Sequence, residues 1–198
     1  MNINLRRESF LVENNFQDIR LYLILKSQLK NNIKTIDSFV SSEEKNLLVL
    51  TSIGRLFKFS LSNKIMAPTT KQSQGLMIAK LFPTEQIVSC CSYQNEENIY
   101  LISKQGKIFC LNSNEIYFAN EYSLGYLNEK IQIKNDNFLT ISPNKNYLDI
   151  ETNKNKSARL SLNKLNSQNN NKNFVIDFLK LEKGEHLENC FRLENFLD

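Results

Sequence analysis

Asn46-Leu47-Leu48-Val49-Leu50-Thr51-Ser52-Ile53-Gly54-Arg55-Leu56-Phe57-Lys58-Phe59 returns as Asn98-Ile99-Tyr100-Leu101-Ile102-Ser103-Lys104-Gln105-Gly106-Lys107-Ile108-Phe109-Cys110-Leu111. Each copy lays down an apolar strand, a turn on one glycine followed by a basic residue, and a second strand. The two turn glycines stand 52 positions apart. A period of that size marks a propeller or another stacked array, in which no unit can bury its apolar face alone.

The repeat extends beyond its hairpin. Leu76 to Leu81 and Glu85 to Cys90 follow the first copy; Leu124-Gly125-Tyr126, Lys130 to Ile133 and Asp136 to Leu139 follow the second. A weaker third copy opens with Tyr147 to Thr152 and Ser157 to Leu162, and closes with Phe178 to Leu181 and Glu185 to Cys190. It has Asn153-Lys154-Asn155-Lys156 where the others have a glycine turn; Asn tolerates left-handed φ better than most residues. The alternation in Leu56 to Leu61 and Arg159 to Leu162 fits half-buried strands. The chain therefore reads as all-β, with about three four-stranded blades at 46–97, 98–143 and a degenerate 144–198 that carries an Asn-rich loop at 166–173. Residues 1–45 hold two further apolar runs, Ser9 to Val12 and Ile19 to Leu25. They read as N-terminal strands of a half blade, and the second run is also compatible with a short helix.

With 198 residues and 41% apolar content the chain can bury a core of its own. Five glycines and three prolines are few for an all-β protein, so Asn, Asp and Ser must make many turns. Four cysteines lack any Cys-x-x-Cys spacing and there is one histidine, which excludes the usual zinc patterns. No apolar stretch nears the ~20 residues of a membrane span, and the first residues lack the apolar segment of a secretory signal. These features lead us to expect a soluble chain in a reducing compartment, with no metal, cofactor or membrane partner.

Charge follows the repeat. The opening halves, 46–84, 98–114 and 152–176, sum to +5, +2 and +5, and the closing halves, 85–97, 115–143 and 177–198, to −3, −2 and −3. Arranged around an axis, the copies would place basic surface at equivalent points of successive units. A nucleic-acid backbone requires such a stripe, because phosphate contacts give affinity independent of sequence.

The hairpin and its continuation resemble blades of the C-terminal domain of the A subunit of DNA gyrase and topoisomerase IV. In that family each blade opens with an apolar strand and a Thr/Ser-x-x-Gly-basic turn, the places held by Thr51 to Arg55 and Ser103 to Lys107. A glycine then precedes a strand, as in Gln74-Gly75-Leu76 and Leu124-Gly125-Tyr126, and the blade ends on an acidic-then-apolar strand like Glu85 to Val88. The resemblance covers 46–143 well and 144–198 loosely. It implies a partial β-pinwheel, a disc whose basic rim bends duplex DNA, belonging to a divergent or truncated A-subunit fragment that acts with the remainder of that subunit and a B subunit. It makes Arg55 and Lys107 the leading rim candidates, then Lys58, Lys64, Lys71 and Lys104, then Lys154, Lys156 and Arg159. A cytoplasmic, nucleoid-associated location would follow.

The chain departs from the family in lacking the glutamine–arginine–arginine box; Gln72-Ser73-Gln74-Gly75 keeps only its outline. It also has no Arg-Tyr setting for a cleavage tyrosine and no Walker-type loop. An enzyme acting by itself, or one with a small-molecule substrate, is therefore not expected. The competing reading is a propeller-like protein-interaction module without DNA binding, whose open sheet edges would take a partner.

Overall fold

The computed structural model describes residues 2–9, 21–29, 32–41, 45–61, 76–94, 97–119, 124–128, 131, 133–143, 147–162, 164–165, 174–177 and 179–193. Fourteen strands are present among them. β1 (Asn2–Ser9), β2 (Leu21–Leu29) and β3 (Asn32–Ser41) form one antiparallel sheet, in the order β3-β2-β1, with β6 (Leu76–Lys80) added beside β1. Leu21 to Leu25 of the second N-terminal run thus enter a strand and not a helix, and Ile19 and Arg20 lie outside the described residues.

β4 (Asn46–Thr51), β5 (Leu56–Ser60) and β7 (Ile87–Tyr93) make a second sheet, ordered β5-β4-β7. β8 (Asn98–Ser103), β9 (Lys107–Asn112), β10 (Phe138–Pro143) and β13 (Phe174–Asp177) make a third, ordered β10-β8-β9-β13. β11 (Tyr147–Thr152), β12 (Ser157–Ser161) and β14 (Leu187–Leu193) make a fourth, ordered β12-β11-β14. Among the described residues two sheets thus have four strands and two have three, where four-stranded blades were expected. The Asn-rich loop at 166–173 lies outside the described residues.

Neighbouring units exchange chain. β6 leaves the unit of β4, β5 and β7 to pair with β1, and β13 crosses back to β9. Between the second and third sheets the exchange shrinks to a short contact. Leu56 and Tyr126 exchange both backbone hydrogen bonds at 2.8 and 2.7 Å, and Ala119 N–H donates to Lys58 C=O at 2.8 Å. The three-strand count of the second sheet follows from this.

The hairpin turns repeat in atomic detail. A hydroxyl at the first position accepts from the turn backbone: Thr51 Oγ1 from Arg55 N–H, Ser103 Oγ from Lys107 N–H and Thr152 Oγ1 from Lys154 N–H. The fourth position has positive φ, +92° at Gly54, +79° at Gly106 and +59° at Asn155, so Asn does take the glycine's place in the third copy. Each turn is also stitched sideways. Ser52 N–H donates to Gln86 C=O in its own sheet, while Ser52 C=O accepts from Phe138 N–H of the next. Lys104 does the same with Asn137 and Leu187.

Among the described residues two cores lie on either face of the third sheet. Ile99, Leu101, Phe109 and Leu111 pack with Leu48, Leu50, Leu56 and Ile141 on one side. Tyr100, Ile102, Ile108 and Cys110 pack with Leu148, Ile150, Leu160 and Leu187 on the other. Successive strand residues point to opposite faces, so a strand covered on both sides is apolar along its middle, as β8 is from Ile99 to Ile102. β11 is covered on one side only and alternates, with Leu148 and Ile150 inside and Tyr147 and Glu151 outside.

Candidate nucleic-acid interface

The same structural position recurs in three units, with three outcomes for its basic residue. In the first, Arg55 is 3% exposed. Its guanidinium makes a two-pronged ion pair with Glu85, Nε to Oε1 at 2.7 Å and Nη2 to Oε2. Nη1 donates to Leu124 C=O at 2.6 Å, and the Phe82 ring lies 4.4 Å from the guanidinium carbon. Burial raises the Glu85 pKa. Hydrogen bonds from Arg55, Thr51 and Phe82 N–H, with the Arg55 charge, together outweigh that and hold it below the ordinary carboxylate value.

In the third unit Lys156 takes this place. It pairs with Glu185 at 3.3 Å and with Glu182 at 2.7 Å, the latter standing where Phe82 stands in the first unit. Thr152 Oγ1 donates to Glu185 at 3.0 Å, and Lys154 reaches Glu182 at 2.8 Å. Hydrogen bonds from Lys154 and Lys156, reinforced by their charges, pull Glu182 down to about 2.

In the second unit Lys107 takes the place, and Asp136 stands where the other units have glutamate. One methylene shorter, Asp136 turns back on the backbone. Its Oδ1 accepts from Gln105 N–H at 3.2 Å and Asn137 N–H at 2.7 Å, and its buried Oδ2 has no partner. Lys107 makes no ion pair among the described residues.

The structure places one of the two leading candidates, Arg55, and the second-rank Lys58 in buried positions and not on an exposed rim. Lys58 is 4% exposed, donates to Ser113 C=O at 3.2 Å and lies 4.5 Å from the Phe118 ring; desolvation by burial lowers its pKa. Arg159 is exposed but paired with Asp149 through two hydrogen bonds of 2.7 and 2.8 Å. Lys154 and Lys156 share Glu182. Lys64 and Lys71 lie outside the described residues. Lys104, exposed at the turn, and half-buried Lys107 have no acidic partner among the described residues.

Three cations that sequence reasoning passed over join them at the seam of the third and fourth sheets. Gly106 approaches Leu179 and Leu181 so closely that an added Cβ would lie 3.0 Å from Leu179 Cβ, which brings Lys180 beside the turn. Gln105 Nε2 donates to Asn135 C=O at 3.0 Å, which brings Lys134 there, and Lys183 lies on the turn before Leu187. All three are exposed and without an ion pair among the described residues. The basic residues of the closing segments carried the signal, but net acidity there masked it.

No group of three or more His, Cys, Asp or Glu side chains suited to a metal occurs among the described residues. Burial pushes the Cys110 thiol up to about 11, far from a reactive thiolate.

The depressed carboxylates make a pH prediction. Glu85, Glu182 and Glu185 all have lowered pKa values in the fold. Their contribution is complete above the unfolded value near ~4.3 and is lost as pH falls through the folded one, about 2 for Glu182. Thermal melts should show Tm level above about pH 5 and falling steadily below it. A flat profile down to pH 2 would contradict the pairings.

No protein-family model matches the chain, and no curated protein matches it by sequence. Solved structures do. The chain superposes on a DNA gyrase A C-terminal domain with a TM-score of 0.56 at 21% identity, covering 82% of this chain and 55% of that one. On the C-terminal domain of DNA topoisomerase IV the TM-score is 0.62 at 11% identity, covering 98% and 62%. On the E. coli ParC C-terminal domain it is 0.52 at 10% identity, covering 98% and 80%. The chain thus spans between half and two thirds of the first two. Its fold is that of these domains, the β-pinwheel.

Proposed function

We propose that this chain binds duplex DNA through the phosphate backbone, without sequence preference, as a DNA-binding and wrapping domain working within a type IIA topoisomerase. The remainder of an A subunit and a B subunit would be its protein partners, and the cytoplasmic nucleoid its location. One observation carries the reading: the backbone places Lys104, Lys107, Lys134, Lys180 and Lys183 along one seam, while Glu182 and Glu185 are engaged by Lys154, Lys156 and Thr152 and Asp136 turns back on its own backbone. Uncompensated cations on stitched, rigid turns suit a polyanion, since each phosphate contact releases counterions. Bending the duplex costs several kcal/mol, which a row of such contacts offsets. The likeness to topoisomerase C-terminal domains is in fold and supports the same reading.

The test is a salt titration of binding to a duplex of random sequence. The wild-type chain should bind at low salt and weaken steeply as salt rises. Lys104→Glu, Lys107→Glu and Lys180→Glu combined should lower affinity at 50 mM salt by roughly tenfold or more. No mobility shift at low salt would overturn the reading.

Exposed apolar side chains on one segment favour a second reading. Tyr117 is 75% exposed, Leu124 69%, Phe118 55% and Leu127 52%. Such a patch suits a protein partner. A partner retained by the lysine variant in a chain that never binds DNA would favour a protein-interaction module.

A further inference from the structure

We infer that the acidic residue at one repeated position decides which turns present a free cation, and that Asp136 is the residue that releases Lys107 for contact. The inference rests on the DNA reading and deepens it: the basic rim is gated unit by unit by side-chain length.

The position is defined by backbone geometry. The residue after it is tied to the second residue of the hairpin turn, as Gln86 is to Ser52, Asn137 to Lys104 and His186 to Asn153, at 2.7, 2.8 and 3.0 Å. Glu85, Asp136 and Glu185 are therefore equivalent. Both glutamates reach the hydroxyl that starts their own turn and the cation that ends it. Asp136 reaches neither. Its Oδ2 stays buried and unpartnered, and Lys107 makes no ion pair among the described residues. Asp177 stands opposite Lys107 in the β9–β13 ladder, so Lys107 is not in an acid-free setting. It is the bond to the turn acid that it lacks.

Glu182 acts in the opposite sense in the third unit, where it replaces the ring of Phe82 and takes up both Lys154 and Lys156. That pair is solvent-exposed, so it holds the lysines weakly, and a phosphate can compete for them.

Asp136→Glu tests this without altering net charge. Each phosphate contact contributes about 0.9 to the slope of log affinity against log salt. D136E should reduce that slope by about 0.9 and weaken binding roughly threefold at low salt. Carbon-detected NMR should show the introduced carboxyl titrating below the ordinary glutamate value. Glu182→Gln should raise the slope by about 0.9. Lys107→Gln should reproduce the slope loss of D136E by a separate route, and covers the case in which D136E does not fold. Failure of the wild-type chain to bind overturns the DNA reading itself. Wild-type binding with an unchanged slope in D136E and K107Q overturns this inference alone.

Discussion

Glu85→Ala is expected to remove about 3–5 kcal/mol of stability, the cost of leaving a buried charge without its partner. Arg55 is 3% exposed and Glu85 1%, so solvent cannot replace the lost carboxylate. Two charge-assisted bonds disappear, and so does the acceptor for Phe82 N–H at 3.0 Å. The bond to Leu124 C=O, a neutral acceptor, cannot neutralise a guanidinium. Against a total of about 5–15 kcal/mol for a typical domain, this is enough to unfold a large fraction of molecules. The damage should spread along the seam, because Arg55 anchors the segment that carries Tyr126 onto β5. Urea denaturation would give the loss, and hydrogen exchange at the Leu56 amide would report the detached contact. A double variant, Arg55→Met with Glu85→Leu, should be milder than E85A, since it leaves no orphaned charge. A loss below about 1 kcal/mol in E85A would refute the buried-pair account.

Gly54→Ala should cost roughly 2–4 kcal/mol, and Gly184→Ala only about 1 kcal/mol. Both glycines have positive φ, +92° and +75°, so both pay the left-handed penalty of an L side chain. They differ in what a Cβ would meet. At Gly54 it would sit 2.7 Å from Cε2 of Phe138, a fully buried ring held edge-on against Phe109 at 5.4 Å. At Gly184 nothing lies within 4 Å. Phe138 belongs to the next sheet and its N–H is bonded to Ser52, so the clash pries two units apart. Equal destabilisation of the two variants, measured by denaturation, would mean that the turn conformation alone matters and the approach of Phe138 does not.

The hairpins were legible because their cause is local. Thr51, Ser103 and Thr152 cap their own turns, and Gly54, Gly106 and Asn155 supply the left-handed residue within the same five positions. Strand character was legible too, with a continuous apolar run in β8 and alternation in β11; β5 misled, because Leu56 to Phe59 alternate in sequence yet are buried on both faces, Lys58 included. The short pairing beside β5, where the described residues form no fourth strand, was not legible, because Tyr126 and Ala119 each meet β5 at a single point and leave no period in the sequence.

The charged positions separate the two kinds of information most clearly. Arg55, Lys107 and Lys156 occupy the same place in the same motif, and the sequence by itself determined that place, the repeat and the turn. Only the tertiary structure decided that Arg55 is buried, Lys156 paired with two glutamates, and Lys107 left without an ion pair among the described residues. Those fates depend on residues 26 to 69 positions away, Glu85 and Leu124 for Arg55, Glu182 and Glu185 for Lys156, and the shorter Asp136 for Lys107. Desolvation and pairing are set by what packs against a side chain, and in a stitched array the neighbouring segment and the next unit supply it.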